Sequence, residues 1–128
     1  MDYDIFDLGD VTLQSGATLP GAFLAYKTYG RLNEKKDNVI VYPTAFGDWH
    51  VQNEWLIGNG KALDPQKYFI IVPNLLGNGL SSSPSNTPPP FDRANFPQVT
   101  IYDNVTLQHR LVTEKFGIEK IALVVGWS

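Results

Sequence analysis

The final segment of the chain limits what it can fold into more than any other feature. Five apolar residues, 121–125, favour a buried strand, and Gly126, Trp127 and Ser128 follow directly. A strand that leads into Gly-x-Ser is the first half of a nucleophile elbow, G-x-S-x-G, in which the chain turns sharply into a helix and exposes the serine. Glycine flanks this serine because the strained backbone leaves no room for a side chain. The segment therefore predicts Ser128 as a catalytic nucleophile.

A second Gly-x-Ser sequence shows why the context of the motif matters. Gly79 and Ser81 match the same short pattern, but they lie in a segment rich in Ser, Pro and Asn and do not follow an apolar strand. For Ser128, the alternative is a serine in an ordinary turn after a buried strand. The second glycine of the elbow and its helix would follow Ser128, so we expect the chain to be incomplete at its C-terminus.

Composition excludes several classes of function. A chain of 128 residues accommodates at most one ordinary domain, and its net charge of −3, with no basic run beyond Lys35-Lys36, argues against nucleic acid and membrane surfaces as partners. The sequence contains no cysteine, which excludes disulfides, thiolate metal sites and a cysteine nucleophile. The acidic N-terminus lacks the apolar core of a signal peptide, and no apolar stretch approaches the ~20 residues that a bilayer requires. We therefore expect a cytoplasmic protein.

The apolar pattern predicts an α/β fold that begins with an antiparallel hairpin. Residues 5–13 and 21–29 have the pattern of paired strands, on either side of a turn at Gly16. Three short, continuous apolar runs follow, which is typical of strands covered on both faces, and the connections between them are long enough for parallel crossovers. These runs are residues 39–42, 68–72 and 121–125.

One helix is predicted over residues 101–116. Thr100 is suited to be its N-cap, and Gly117 is placed to end it. Residues 77–97, which include five prolines, are expected to form a long loop, and loops of this length often have a function. The apolar face of the helix is expected to comprise Ile101, Val105, Val112 and Phe116, with Leu111 beside them.

Short segments along nearly the whole chain match one known family in order. They are Ala25-Tyr26-Lys27-Thr28-Tyr29-Gly30-Arg31-Leu32-Asn33, Gly47-Asp48 with His50, Leu63-Asp64 with Tyr68-Phe69, Asn74, Leu76, Gly77, Phe96-Pro97, Val99-Thr100-Ile101, Asp103 and Phe116-Gly117-Ile118. With these residues the sequence resembles the homoserine O-acetyltransferases, a branch of the α/β-hydrolase superfamily. The resemblance implies that residues 1–128 are the N-terminal part of a single α/β-hydrolase domain, with the run 39–42 between the other two in a parallel sheet.

The resemblance also implies acyl transfer in two steps. An acyl group would pass from acetyl-coenzyme A, a substrate and not a bound cofactor, to Ser128 and then to an acceptor hydroxyl. In this fold, one oxyanion donor is the N–H of the residue after the nucleophile, and the other comes from the loop after the third strand. Alignment on Gly47-Asp48 places this second donor at Ala45, or at Phe46 if the register shifts by one. The alternative is that Ala45 is a loop residue without a role.

Three departures from the family pattern lie near the expected pocket. The first is Pro43-Thr44-Ala45-Phe46, because this loop usually begins with His in the family. The second is the segment 78–84, which is less glycine-rich than the family pattern. The third is Trp127, which stands where a small residue is common. The fold and the serine chemistry therefore transfer more securely than the substrate. The alternatives to an acetyltransferase are a serine esterase or hydrolase of the same fold and a non-catalytic α/β fragment.

The catalytic Asp and His are expected outside this sequence, because in this fold both follow the serine. His109 falls between Val105 and Val112 on the predicted apolar helix face and is expected to pack there. His50 is expected either to line the pocket or to lie on the surface. The expected partners are a small-molecule substrate and the remainder of the same fold, and no metal is expected. For the complete protein, a homodimer stays an open alternative. The chain alone is expected to be inactive.

Overall fold

A mixed five-stranded sheet organises residues 1–127, which are the residues that the computed structural model describes. The strands are β1 (Asp4–Thr12), β2 (Thr18–Tyr29), β3 (Val39–Val41), β4 (Phe69–Pro73) and β5 (Leu123–Val124). Their order in the sheet is β1-β2-β4-β3-β5. β1 and β2 form an antiparallel hairpin, β2 is antiparallel to β4, and β3 is parallel to both β4 and β5. The predicted antiparallel hairpin followed by parallel strands is confirmed.

The three predicted apolar runs are neighbours in the parallel part of the sheet. Ile40 of β3 lies opposite Ile70 of β4 and Leu123 of β5, so β3 lies between the other two, as expected. β3 and β4 are buried along their whole length, which explains why their sequences are continuously apolar. In the described part of the chain, β5 is a short edge strand, and its Leu123 and Val124 are exposed.

Apolar side chains pack on both faces of this sheet. One cluster joins the hairpin and β3 to the helix that follows the long loop, and the other joins the opposite face of β3 and β4 to the connection between these strands. The first cluster includes Leu24, Val39, Val41, Leu107 and Leu111, and the second includes Ile40, Tyr42, Leu63, Ile70 and Val72. The central strands are therefore held from both sides, which fixes where their carboxyl ends lie.

The predicted helix is present as α1 (Ile101–Arg110), and a π-helical turn (Leu111–Lys115) continues it. Thr100 is its N-cap, as expected: Thr100 Oγ1 accepts a hydrogen bond from the Asp103 N–H at 3.1 Å, and Asp103 Oδ2 accepts from the Thr100 N–H at 3.0 Å. This reciprocal pair satisfies donors that a helix start leaves without partners. Gly117 ends the helix with a φ of +62°, a conformation that favours glycine.

The first turns of α1 face the core with a different side from the one predicted. Ile101 and Val105 are 73% and 57% exposed, whereas Leu107 is buried. Asp103 and Asn104 turn inward because their side-chain oxygens accept backbone N–H groups of two distant loops at 2.8 and 2.9 Å. With these two residues facing inward, Ile101 and Val105 are rotated outward. The predicted apolar face is therefore wrong in the first half of the helix.

The second half of the predicted apolar face is confirmed, but the expected packing of His109 is wrong. Leu111 and Val112 are buried, and Phe116 is half-buried. His109 is exposed. It lies two residues from both Leu107 and Leu111, which is about half a turn around the helix from the side that these leucines bury.

The expected loop over residues 77–97 contains one short 3₁₀ helix (Arg93–Asn95). A second 3₁₀ helix (His50–Leu56) lies in the connection between β3 and β4. Among residues 1–127, no helix combines the length and the apolar character needed to cross a bilayer.

Candidate active site

The loops that follow β3 and β4 meet at one edge of the sheet. β3 leads into residues 43–49 and β4 into residues 74–83, and their carboxyl ends face the same side because the strands are parallel. β5 is parallel to β3 and leads at this edge into Gly126 and Trp127. Ser128, the predicted nucleophile, lies outside the described residues, so its role stays a prediction. Ligands of open α/β sheets bind outside the carboxyl ends of the strands, which makes this edge the candidate site.

The loop after β3 carries three consecutive backbone N–H groups, called free below, that have no acceptor within residues 1–127. The Thr44 N–H donates to the carbonyl of the last residue of β4 at 3.2 Å, and the Asp48 N–H donates to the Ala45 carbonyl at 3.0 Å. Between these two bonds, the N–H groups of Ala45, Phe46 and Gly47 donate to no acceptor among the described residues. Both predicted oxyanion donors, Ala45 and Phe46, thus have a free N–H, although their role requires Ser128 and stays a prediction.

A small cavity of about 70 Å³ lies between the two loops. Larger depressions of about 370 and 320 Å³ occur elsewhere, and the first of them is lined mainly by the charged segments 34–37 and 119–120. We assign the candidate site to the smaller cavity, because it adjoins the free N–H groups at the carboxyl edge of the sheet. Its lining residues are Phe46, Gly47, Leu75, Leu76, Gly77 and Asn78.

His50 is buried, which corrects the expectation that it lines the pocket or lies on the surface. The residue is only 2% exposed, its Nε2 lies 2.9 Å from Asp2 Oδ1, and its Nδ1 lies 3.2 Å from Asn74 Nδ2. Because the Asn74 amide nitrogen is a donor, we assign Nδ1 as an acceptor and Nε2–H as the donor to Asp2. Both ring nitrogens have structural partners, so His50 is not placed to act as a general base.

Charged and polar side chains form a network around this histidine. Lys27 Nζ lies 3.5 Å from Asp2 Oδ2 and 3.3 Å from Glu54 Oε2, and the Tyr29 hydroxyl donates to the same Glu54 oxygen. The hydrogen bond from His50 lowers the pKa of the Asp2 carboxyl, whereas burial and then the hydrogen bond to Glu54 raise the pKa of Tyr29. Both carboxylates are engaged in this network, so neither is a candidate for the acid of a catalytic triad.

Ser81, the serine of the second Gly-x-Ser sequence, has structural hydrogen-bond partners. It is fully buried, and its Oγ donates to the Asn74 carbonyl at 2.7 Å and accepts from the Ala25 N–H at 2.9 Å. The neighbouring Ser82 Oγ accepts from the Phe23 N–H at 2.9 Å. These hydroxyls attach the loop after β4 to β2, a role that the sequence pattern, which predicts only a loop here, does not reveal.

Two asparagines that the sequence pattern does not single out as site residues join the loops after β3 and β4. Asn78 Nδ2 donates to the Asp48 carbonyl at 3.0 Å, and Asn74 Oδ1 accepts from the His50 N–H at 3.0 Å. One signal was available, because Asn74 directly follows a buried strand and is among the residues that carry the family resemblance. No periodicity or spacing pointed to Asn78.

Three partly exposed tryptophans lie in the segments that follow β3 and β5. The Trp49 Nε1–H donates to the Asn78 carbonyl at 2.7 Å, which places this ring beside the loop that lines the cavity. The rings of Trp55 and Trp127 meet edge to face, with centroids 6.2 Å apart. The residue that precedes Ser128 is thus packed against the 3₁₀ helix that follows the β3 loop.

Comparison with known proteins identifies the family. The sequence matches the family model described as alpha/beta hydrolase fold over residues 37–128. The chain belongs to the α/β-hydrolase family. It is 46% identical to the ethyl acetate hydrolase of Pseudomonas veronii over 127 residues, which are 98% of this chain and 36% of that protein. It is also 46% identical to the homoserine O-acetyltransferase of Chlorobium chlorochromatii over 120 residues, which are 88% of this chain and 33% of that protein.

A solved structure of this α/β-hydrolase family agrees closely with the fold described above. The acetylester hydrolase from Corynebacterium glutamicum superposes with a TM-score of 0.93 at 43% identity, covering 97% of this chain and 36% of that one. The chain therefore spans about a third of the length of the relatives it matches. The resemblance to homoserine O-acetyltransferases is confirmed, and the similarity to esterases is as high.

Proposed function

We propose that residues 1–128 are the N-terminal part of a single α/β-hydrolase domain that works as a serine esterase on esters of short acids such as acetate. The observation that carries this proposal is the run of free N–H groups at residues 45–47. They lie at the carboxyl edge of β3, next to the strand that leads into Gly126 and Ser128. An oxyanion hole requires preorganised N–H donors of this kind at the point where negative charge develops.

In the proposed mechanism, Ser128 Oγ attacks the acyl carbonyl while a histidine takes its proton. The carbonyl oxygen becomes an oxyanion. It accepts one hydrogen bond from the N–H of Ala45, or of Phe46, and another from the N–H of the residue after Ser128. Collapse of this intermediate breaks the ester C–O bond, and the alcohol leaves with the proton from the histidine. Water then attacks the acylated serine by the same route, which releases the acid and restores the Ser128 hydroxyl.

We assign the histidine and its acid to a part of the fold outside residues 1–128. His50 is engaged by Asp2 and Asn74, and His109 lies on the exposed side of α1. In this fold the acid and the histidine follow the serine in the sequence. The chain alone would then hold the nucleophile and one oxyanion donor without a base.

Acetyl transfer is the second candidate function. The donor would be acetyl-coenzyme A and the final acceptor an alcohol such as homoserine, in place of water. The 46% identity to the Chlorobium chlorochromatii homoserine O-acetyltransferase favours it. We place the esterase first because the Pseudomonas veronii hydrolase matches 98% of the chain, whereas the transferase matches 88%.

The first prediction tests the nucleophile in the complete enzyme, expressed from its full reading frame. We expect turnover of p-nitrophenyl acetate that Ser128→Ala reduces by about 10⁴-fold or more, because the covalent step requires this hydroxyl. Ser15→Ala, a change at an exposed serine, is the matched control and keeps full activity. Mass spectrometry after brief incubation should locate the acetyl group on the peptide that contains Gly126, Trp127 and Ser128.

The same preparation separates the two candidate functions. Acetylation of Ser128 by p-nitrophenyl acetate, with release of acetate in water and no faster release with homoserine, supports the esterase. Acetylation by acetyl-coenzyme A, with formation of O-acetylhomoserine, supports the transferase. Activity that survives in Ser128→Ala contradicts both.

A further inference from the structure

Both ends of the loop with the free N–H groups are attached to the end of β4 or to the segment that follows it. At the first end, the Thr44 N–H donates to the Pro73 carbonyl and Thr44 Oγ1 accepts from the Leu75 N–H, both at 3.2 Å. At the second end, the Asp48 carbonyl accepts from Asn78 Nδ2 at 3.0 Å. Between these attachments the loop is closed by a turn, so its free N–H groups can move only as far as the two ends allow.

Asn74 connects the second attachment to the centre of the sheet. It is fully buried, and both its backbone N–H and its Nδ2 donate to the carbonyl of Ala25 in β2, at 2.9 and 3.0 Å. Its Oδ1 accepts from the His50 N–H at 3.0 Å and from Asn78 Nδ2 at 2.9 Å. A rigid strand thus holds Asn74, Asn74 holds Asn78, and Asn78 holds the end of the loop.

The chemistry of the Asn78 side chain suits this position in a way that few other side chains would. Its Nδ2 donates to two oxygens, Asp48 O and Asn74 Oδ1, while its Oδ1 accepts from the N–H groups of Leu80 and Ser81 at 3.0 and 3.3 Å. A carboxylate at this position would accept but not donate, and alanine would do neither. Only an amide of this length satisfies both sets of partners.

We propose that Asn78, itself held by Asn74, is a positioning residue of the acyl-transfer site. By fixing the Asp48 carbonyl, it orients the turn at residues 45–48, whose free N–H groups stabilise the oxyanion. This inference rests on the proposed function. A residue in this role lowers the barrier to acylation through the donors that it aligns, because they act only if they point at the oxygen as its charge develops.

The test compares Asn78→Asp and Asn78→Ala with wild type in the complete enzyme, with p-nitrophenyl acetate as the substrate. We expect kcat to fall about 10- to 100-fold, since a displacement of the order of an ångström at a catalytic group has this effect. KM should stay within about twofold, because ground-state binding does not use the oxyanion donors. Asn86→Ala is the matched control: within the part of the chain that the structure describes, the Asn86 side chain bonds to Ser81 and Ser83 of its own loop alone, and its removal should leave kcat near wild type.

A second variant removes a hydrogen bond that holds the backbone of Asn78. Trp49→Phe keeps the aromatic ring but removes the Nε1–H that donates to the Asn78 carbonyl at 2.7 Å. We expect a smaller loss of kcat in the same direction, about two- to tenfold, with KM unchanged. This variant is used if the Asn78 variants fail to fold, because Trp49 is partly exposed and phenylalanine keeps an aromatic ring at its position.

Two outcomes overturn the inference, and they differ from failure of the proposed function. If the Asn78 variants fold and keep the kcat of Asn86→Ala, or raise KM alone, Asn78 does not position the oxyanion donors. If they do not fold, an unchanged kcat in Trp49→Phe overturns the inference as well, because it shows that the hold on the Asn78 backbone does not affect the oxyanion donors. In either case Ser128→Ala still abolishes activity when the proposed function is correct, whereas activity that survives in Ser128→Ala refutes the function itself.

Discussion

Single polar residues with distant partners hold the candidate site together. His50 bonds to Asp2, 48 positions away, and Asn74 bonds to Ala25, 49 positions away. A buried polar group loses its hydrogen bonds to water, so it requires a partner within the protein. The loops at the carboxyl edge of the sheet are therefore positioned by individual hydrogen bonds as well as by apolar packing.

The pair formed by Asp2 and His50 gives a prediction about pH. The hydrogen bond from His50 lowers the pKa of Asp2 in the folded protein, and a free aspartate titrates near ~3.9. The carboxylate therefore contributes stability above that pH, and this contribution is lost as the pH falls through the lower pKa of the folded state. We expect Asp2→Asn to lower the thermal midpoint of the complete enzyme slightly at pH 7, with a difference from wild type that disappears once the pH falls below the lowered pKa of Asp2.

Circular dichroism melts at several pH values measure this difference. Asp7→Asn is the control, because Asp7 is exposed on β1 and has no hydrogen-bond partner for its side chain among the described residues. A midpoint difference for Asp2→Asn that stays constant as the pH falls through the acidic range would show that the variant acts by a route other than loss of the hydrogen bond to the ionised carboxylate.

At the scale of elements, a few polar contacts decide how α1 is oriented. In its N-terminal turn, Asp103 Oδ1 accepts a hydrogen bond from the Gln14 N–H at 2.8 Å. Asn104 Oδ1 accepts a second one from the Leu76 N–H at 2.9 Å. The second bond links the helix start directly to the loop that lines the candidate cavity. The helix therefore contributes to the site by supporting the β4 loop, although none of its residues lines the cavity.

The N-cap of this helix gives a prediction about stability. Thr100 Oγ1 accepts from the Asp103 N–H and donates to Gln14 Oε1 at 2.9 Å. We expect Thr100→Ala to reduce the free energy of unfolding by about 1 kcal/mol, the usual cost of losing a capping hydroxyl. Thr100→Ser keeps the hydroxyl and should stay near wild type in urea denaturation. Equal losses in both variants would assign the effect to the methyl group and not to the cap.

At the scale of the whole molecule, the order of the strands brings three loops to one edge. β3, β4 and β5 are parallel, so the segments that follow them start from the same side although they are far apart in the sequence. The free N–H groups at residues 45–47 and the chain that leads to Ser128 belong to neighbouring strands. This placement follows from topology, and it supports the proposed pairing of nucleophile and oxyanion donor.

We predict that the isolated chain of 128 residues is inactive, because it has no base beside Ser128. Its two histidines are engaged or exposed away from the site, so Ser128 has no base, and a serine without its base is a weak nucleophile. We expect no hydrolysis of p-nitrophenyl acetate above the level of Ser128→Ala in the same chain. Rapid turnover that disappears in Ser128→Ala would show instead that a base lies within these residues.

Much of the fold could be predicted from sequence because it depends on local chemistry. Continuous apolar runs mark β3 and β4, which are covered on both faces, and Thr100 marks the start of a helix through bonds that span three residues. The position of Ala45 as a donor in the loop after the third strand, by contrast, was expected from alignment with the family that the sequence resembles, and its role stays a prediction. The order of the strands was likewise expected from this resemblance, because local chemistry does not determine which strands become neighbours in the sheet.

Only the tertiary structure decided which side chains face inward and what holds the site in place. Asp103 turns inward because it bonds to a residue 89 positions away, and this contact rotates Ile101 and Val105 outward. In the same way, Asp2 engages His50, and Asn78 attaches the oxyanion loop to the segment after β4. No periodicity records such contacts, because a polar side chain can satisfy its hydrogen bonds with any suitable partner that the fold brings within about 3 Å.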